Sequence, residues 1–176
     1  MTAKRQKQPR KISRQYLENA ALYYLQRYAT SAKNFRRVMR AKVQRSCTFH
    51  KVAPDEFYPM IDDLIVRYVA SGLLNDKGFA EARVSSLRRQ GRSKNAILAK
   101  LQAKGLSKTH VEDALAGHDD ANAELAAAVK LAKRKKLGRA TDPKERQKEL
   151  AVLGRAGFSY EMARAALEYR DEEEDL

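Results

Sequence analysis

Adjacent acidic residues are the first candidates for acid–base chemistry in this sequence of 176 residues. They occur twice, as Asp62 with Asp63 and as Asp119 with Asp120. Two carboxylates that share one reacting group must face it together, but neighbouring residues on a helix point about 100° apart. We therefore interpret both pairs as exposed or helix-capping groups rather than as an acid–base site.

Metal ligands and nucleophiles are equally sparse. His50, His110 and His118 lack the spacing of metal ligands, and the single cysteine, Cys47, pairs with none of them in a recognised pattern. A lone cysteine also forms no internal disulfide, which fits a reducing, cytoplasmic location. A glycine-rich phosphate loop and a serine-nucleophile motif are both missing. The sequence thus predicts a protein that is not an enzyme and that uses no cofactor and no metal.

Positive charge is the strongest chemical signal. The sequence has 36 lysines and arginines against 22 acidic residues, a net charge of +14. Such an excess attracts polyanions, and nucleic acid is the polyanion that a basic protein of this kind most often meets. A charge that serves only solubility is the alternative. No uncharged stretch approaches the roughly 20 residues that cross a bilayer, so no membrane partner is expected.

The cations that we predict to bind this partner form three sequence clusters. Arg36 and Arg40 of the first cluster are one helical turn apart and share a face. The predicted contact residues are Arg36, Arg37, Arg40, Arg88, Arg89, Arg92, Lys130, Lys133, Arg134, Lys135, Lys136 and Arg139.

Both ends of the chain have biased composition. Residues 1–15 hold six cations and no acid, which predicts a disordered basic arm. Residues 171–176 form an acidic tail, which either competes for the basic clusters or serves as a solvated tail.

Hydrophobic periodicity predicts helices throughout and no strand longer than a few residues, so the fold class is all-α. Most predicted helices begin after a side chain that can accept from free backbone amides, or end at a glycine. A third helix begins either near Asp55 or at Pro59, because proline is tolerated only in a first turn. The candidate N-caps are Ser31, Asp76, Ser93, Ser107, Asp142 and Ser159.

Tyrosines are concentrated in the first predicted helix, whose inward stripe runs from Leu17 to Tyr28. The rings of Tyr16, Tyr23, Tyr24 and Tyr28 could stack on exposed bases. Their helical spacing favours packing within the first group of helices instead.

An internal repeat organises the helices. LAKLQAKGLSKTHVEDAL (98–115) aligns with LAVLGRAGFSYEMARAAL (150–167), which superposes paired leucines, a glycine, a serine and a second apolar pair. These are the residues that a helix–turn–helix corner requires. We predict three tandem three-helix repeats, over 16–74, 75–117 and 118–170, that form an elongated, curved body. The alternative is one compact helical domain in which the similarity of the two segments is a coincidence.

The middle of the chain carries an ordered series of short motifs. Residues 72–80 (GLLNDKGFA) are followed in order by Arg88-Arg89, Gly91-Arg92-Ser93, Gly105-Leu106-Ser107 and Ala114-Leu115. This series resembles the signature of the RecX family of bacterial recombinase regulators. The start of the chain, 21–25 (ALYYL), and the late 157–159 (GFS) resemble the first helix pair and last corner of that family. The resemblance covers roughly residues 16–168.

The resemblance implies three tandem three-helix repeats, no catalysis and binding to the RecA recombinase. It implies that the chain lodges in the groove of the RecA–single-stranded DNA filament and inhibits recombination, ATP hydrolysis and co-protease activity. On this hypothesis the concave side of the repeats carries the three basic clusters, the chain is a monomer, and preference for any DNA sequence, single-stranded or duplex, is weak.

Two other function classes stay open. A stand-alone basic nucleic-acid-binding protein, such as a helix–turn–helix transcription factor, would share the charge and the corners but would prefer a duplex sequence, usually as a dimer. A plain helical scaffold for an acidic partner would bind neither DNA nor recombinase.

Overall fold

A computed structural model describes residues 8–118 and 122–169. All regular structure in these two ranges is helical, so the all-α fold class is confirmed. The first seven residues of the predicted basic arm, the Asp119–Asp120 pair and the acidic tail lie outside the described residues. Nowhere in the described ranges is a helix both long and apolar enough to span a membrane.

The helices follow one another with short connections. A 3-10 turn, Asp55–Phe57, precedes α3, so both starting points predicted for the third helix are used, with Pro59 in the first turn of α3. The α-helices are α1 (Arg14–Leu25), α2 (Ala32–His50), α3 (Tyr58–Ala70), α4 (Asp76–Arg89), α5 (Lys94–Ala103), α6 (Lys108–Ala116), α7 (Ala123–Lys135), α8 (Pro143–Arg155) and α9 (Tyr160–Glu168).

Buried apolar residues form three separate clusters, one for each successive group of three helices. The clusters draw on residues 12–74, 80–115 and 127–167. By backbone contacts the chain divides into two compact units, 1–76 and 77–176. The second unit therefore holds two of the three clusters, and the repeat boundaries at 74–75 and 117–118 stay a prediction.

In the first unit, α1, α2 and α3 enclose a core around Phe35, which is fully buried. The side chain of Ser31 accepts a hydrogen bond from the amide of Asn34 at 3.1 Å, as an N-cap should. Asp76, predicted to cap α4, is instead the first residue of that helix. Its carboxylate accepts from the amide of Ala32 at 2.8 Å and so satisfies a free donor in the first turn of α2.

The segment before α1 is held against α2, which differs from the predicted disordered arm. Ser46 Oγ donates to the carbonyl of Arg10 at 2.7 Å, and His50 Nε2 lies 3.0 Å from the carbonyl of Pro9. Ile12 is buried in the core of the first unit. One apolar side chain in a basic stretch and two carbonyls that find partners on α2 are enough to order this segment.

The first helix ends earlier than predicted. Its last residue is Leu25, and the amides of Arg27 and Tyr28 both donate to the carbonyl of Tyr24. These bonds close the final turn, so Tyr28 lies outside the helix and is exposed. Its place on the predicted inward stripe was therefore wrong.

In the second unit, the repeated corner seen in the sequence has the same backbone geometry in both copies. Gly105 and Gly157 have φ of +89° and +91°, a left-handed conformation that favours glycine. The next amides, of Leu106 and Phe158, reach back to the carbonyls of Leu101 and Leu153. Ser107 and Ser159 then cap α6 and α9. A connection from α5 to α6 is thus repeated from α8 to α9.

Candidate nucleic-acid interface

The first basic cluster lies on the solvent-exposed side of α2, where each arginine has a neighbour that orients it. Arg36 Nε forms an ion pair with Asp62 Oδ1 at 2.8 Å. Arg37 donates to the side-chain oxygen of Asn34 at 2.9 Å. The guanidinium of Arg40 lies 4.5 Å from the ring centre of Tyr58. All three arginines remain exposed, so their positive charge is held in place without being buried.

The carboxylates of Asp62 and Asp63 are engaged by different arginines, as the spacing of adjacent helical residues predicts. Asp62 pairs with Arg36, whereas Asp63 lies 2.9 Å from Arg14 and 3.7 Å from Arg67. Arg67 also donates to Glu18, and this hydrogen bond raises the pKa of the Arg67 guanidinium above its usual value. The acidic residues of this side therefore neutralise cations and do not form a shared acid–base site.

Arg88, a predicted contact residue of the second cluster, serves a different purpose. Its side chain is only 9% exposed and forms an ion pair with Glu124 of α7. Both carboxylate oxygens of Glu124 also accept from the amide of Lys94, at 3.1 and 3.2 Å. One glutamate therefore holds the end of α4 and the start of α5. Because so little of its side chain is exposed, we do not assign Arg88 to the binding surface.

Two cations of the third cluster are also used inside the second unit. Lys130 Nζ donates to the carbonyl of Arg89 at 2.6 Å, and Arg134 donates to the carbonyl of Gln90 at 3.2 Å. Cations at these positions donate to carbonyls that have no partner within the helix, and they interact favourably with the negative end of the α4 helix dipole. The second and third clusters are therefore brought side by side, although 41 residues separate Arg89 from Lys130.

Gly91 permits this close approach. Its φ is +71°, and a Cβ built there would lie 3.2 Å from the carbonyl oxygen of Ala127 and 3.3 Å from Lys130 Cβ. A glycine in this place both ends the α4 turn and lets α7 pass against it.

The other predicted contact residues of the second unit are exposed. Arg89 is held on its own helix by a 2.7 Å bond to Ser85, and Lys133 Nζ lies 5.9 Å from the ring centre of Tyr169. Lys136 adopts a left-handed conformation at the end of α7, with φ +56°. This exposed set, which we call the unit-2 basic surface, comprises Arg89, Arg92, Lys133, Lys135, Lys136 and Arg139.

Ser93 and Asn95 were not predicted to join helices that are distant in sequence. Besides capping α5, Ser93 Oγ donates to the carbonyl of Ala156 at 2.6 Å, and Asn95 Nδ2 donates to the carbonyl of Gly157 at 3.1 Å. The sequence marks Ser93 only as an N-cap, and nothing in its neighbours indicates the second bond. Over 8–118 and 122–169, no three His, Cys, Asp or Glu residues form a group that could hold a metal ion.

Comparison with known proteins agrees with this arrangement. A family model described as "RecX, second three-helix domain" matches residues 75–115, which contain α4, α5 and α6. The regulatory protein RecX of Myxococcus xanthus is 38% identical over 167 residues, which cover 92% of this chain and 89% of that protein. The chain belongs to the RecX family. Another similar RecX, from Agrobacterium fabrum, is 30% identical over 92% of this chain and 87% of its own.

Solved RecX structures have the same fold. The crystal structure of RecX from Lactobacillus salivarius matches with a TM-score of 0.66 and 23% identity, over 88% of this chain and 94% of that one. A second RecX crystal structure also matches with a TM-score of 0.66, at 17% identity, over 89% of this chain and 72% of that one. The tandem three-helix architecture predicted from the repeat is therefore the architecture of RecX proteins.

Proposed function

We propose that this RecX-family chain binds the RecA recombinase–single-stranded DNA filament and inhibits its recombination, ATPase and co-protease activities. The observation that carries the proposal is the 38% identity to a regulatory protein RecX over 92% of the chain. Regulation through binding also agrees with the exposed cations that the described residues offer.

The proposed binding is electrostatic. The unit-2 basic surface and the arginines of α2 would meet DNA phosphates or acidic recombinase side chains of the filament in the cytoplasm. Phosphate contacts position a protein without reading bases, so affinity would fall with salt and depend little on DNA sequence. Arg88 would support this surface from beneath, because little of its side chain is exposed. Lys130 and Arg134 are exposed, but their polar groups already bind carbonyls within the unit.

ATP hydrolysis by purified RecA on single-stranded DNA tests the proposal. We expect the chain to inhibit hydrolysis at substoichiometric amounts, and we expect the triple variant Arg92→Ala, Lys135→Ala, Arg139→Ala to need roughly tenfold more protein for the same effect. The control variant Lys100→Ala, Lys108→Ala, Lys144→Ala removes three exposed lysines outside the clusters and the same net charge.

Two results would contradict the proposal. Undiminished hydrolysis at a molar excess of the chain would exclude a RecA regulator of this kind. Equal loss of inhibition in both triple variants would mean that only net charge matters. If hydrolysis is undiminished and the chain binds one duplex sequence tightly, the result would support the transcription-factor alternative.

A further inference from the structure

A long acid-free stretch includes most of α1 and all of α2. No aspartate or glutamate occurs from residue 19 to residue 54, whereas eight lysines and arginines do. Of the neighbouring acids, Glu18 pairs with Arg67 of α3, and Asp62 neutralises one cation of the stretch, Arg36. The remaining cations of these two helices therefore keep a strong positive potential.

Tyrosines of α1 lie beside these cations. Lys42 Nζ of α2 is 5.7 Å from the ring centre of Tyr16. The hydroxyl of Tyr24 accepts from Asn34 at 3.4 Å, and the other end of the same amide accepts from Arg37. Tyr16 and Tyr24 of α1 thus adjoin the basic side of α2. We use the name tyrosine–arginine face for these two tyrosines together with Tyr23, Arg27, Tyr28 and Arg37.

The four tyrosines of this face fall into two classes. Tyr16 and Tyr24 are partly buried and pack against the core of the first unit, as the packing prediction required. Tyr23 and Tyr28 are 58% and 57% exposed and contribute no ring to that core. Packing therefore explains only half of the tyrosines in this region.

Arg27 makes the exposed rings suitable for bases. Its guanidinium carbon lies over the ring of Tyr23, 3.7 Å from the ring centre, so the cation is held against that ring. The ring of Tyr28 lies 5.1 Å from that of Tyr24, which fixes its position at the end of α1. Aromatic rings beside cations are the pattern by which proteins hold unpaired bases and the phosphates between them.

We infer that the tyrosine–arginine face binds single-stranded nucleic acid, with unpaired bases stacked on Tyr23 and Tyr28 and phosphates beside Arg27 and Arg37. This inference rests on the proposed function, because it assigns a surface to the single-stranded DNA of the filament. An acidic protein segment would need the cations alone and would leave the two exposed rings without a role, so nucleic acid is the occupant that the face favours.

Binding of labelled oligonucleotides by the full chain, without RecA, tests the inference. The probes are an oligothymidine and an oligonucleotide of equal length in which every base is replaced by an abasic site. We expect the chain to prefer the oligothymidine, and Tyr23→Ala and Tyr28→Ala to weaken its binding by roughly 5- to 100-fold each. Binding of the abasic probe should change by less than about twofold, since no phosphate contact is lost.

Three comparisons separate stacking from a folding defect. Tyr23→Phe and Tyr28→Phe keep the rings and should bind like the unchanged chain. Tyr160→Ala removes a ring that is 67% exposed in the second unit and should also have no effect. The dependence of affinity on salt should keep its slope in the tyrosine variants, whereas Arg27→Ala should reduce it by about 0.7.

Equal affinity for the two probes would overturn the inference. So would tyrosine variants that bind both probes normally but lose inhibition of RecA, because the face would then meet protein. The proposed function has a separate readout: if RecA hydrolysis is never inhibited but oligothymidine binding depends on the two rings, only the RecA proposal fails.

Discussion

Arg88 and Arg92 are four residues apart in one basic cluster, but the structure uses them differently. Arg88 is buried against Glu124, whereas Arg92 is exposed. In the third cluster, Lys130, Arg134 and Lys135 are all exposed, but Lys130 and Arg134 also bind carbonyls of the same unit. The sequence could locate the clusters from charge alone. It could not predict which cations bind within the unit, because their partners, Glu124 and the carbonyls of residues 89 and 90, are distant in sequence.

Glu124 gives a residue-scale prediction. Glu124→Ala should lower the free energy of unfolding of the second unit by about 2–3 kcal/mol, because it removes the ion-pair partner of the largely buried Arg88 and a carboxylate that accepts from the amide of Lys94. Urea unfolding followed by circular dichroism measures the change. Glu112→Ala is the matched control, since its ion pair with Lys108 is exposed and should contribute less than about 0.5 kcal/mol. Equal effects of the two variants would contradict the role given to Glu124.

Alkaline pH gives a second residue-scale prediction. Burial raises the pKa of the Cys47 thiol and of the Tyr68 hydroxyl; Glu56 raises the former further, while Arg67 partly opposes the shift of Tyr68. For both groups the pKa in the folded state exceeds the pKa in the unfolded state, which is roughly 8.5 for the thiol and 10 for the hydroxyl. The contribution of each protonated group to the free energy of unfolding is therefore complete below its unfolded pKa and is lost as pH rises through its folded pKa. Urea midpoints of the first unit should therefore fall above about pH 9.

Cys47→Ala serves as the control for that pH dependence. The variant should lose the part of the decline that begins near the ordinary pKa of a thiol, about 8.5, and keep the part that Tyr68 causes. A urea midpoint that stays constant from neutral to strongly alkaline pH would show that neither buried group is linked to folding.

At the scale of elements, start and stop residues predicted most helices because capping is a local interaction. Ser31, Ser93, Ser107, Asp142 and Ser159 each accept from an amide two or three residues ahead. The exceptions have long-range causes. Asp76 faces an amide 44 residues away, and no capping residue or glycine marks the end of α1 at Leu25.

The corner between α8 and α9 gives an element-scale prediction. Gly157→Ala should lower the free energy of unfolding of the second unit by at least about 2 kcal/mol. Its φ is +91°, which costs an alanine about 1–2 kcal/mol, and the new Cβ would lie 2.6 Å from Ser93 Oγ. Chemical denaturation of the full chain measures the loss.

Gly154, which lies within α8, is the matched control. Gly154 is helical and exposed, and a Cβ there meets nothing within 4 Å. Gly154→Ala should raise the free energy of unfolding by roughly 0.5–1 kcal/mol, because alanine restricts the unfolded chain more than glycine does. Changes of the same sign in both variants would mean that the corner does not depend on its left-handed glycine.

At the scale of the whole molecule, the repeat in the sequence was enough to predict the tandem helical architecture. It did not predict the division into units 1–76 and 77–176, because the residues that join the second and third groups of helices belong to no shared motif. The exposure of Tyr23 and Tyr28 could not be predicted from the sequence either. Helical spacing predicted that all four tyrosines pack within the first group of helices. Tyr28 does not, because α1 ends at Leu25 and leaves Tyr28 outside the helix.

The bonds of Ser93 and Glu124 also bear on how the chain can be cut. A fragment that stops at Gly117, the end of the second predicted repeat, would keep α4, α5 and α6. It would lose the acceptor of Arg88 and the carbonyl that Ser93 binds. Truncations that aim to dissect the protein should therefore keep residues 77–169 on one polypeptide, even though the family motif that matches this chain stops at residue 115.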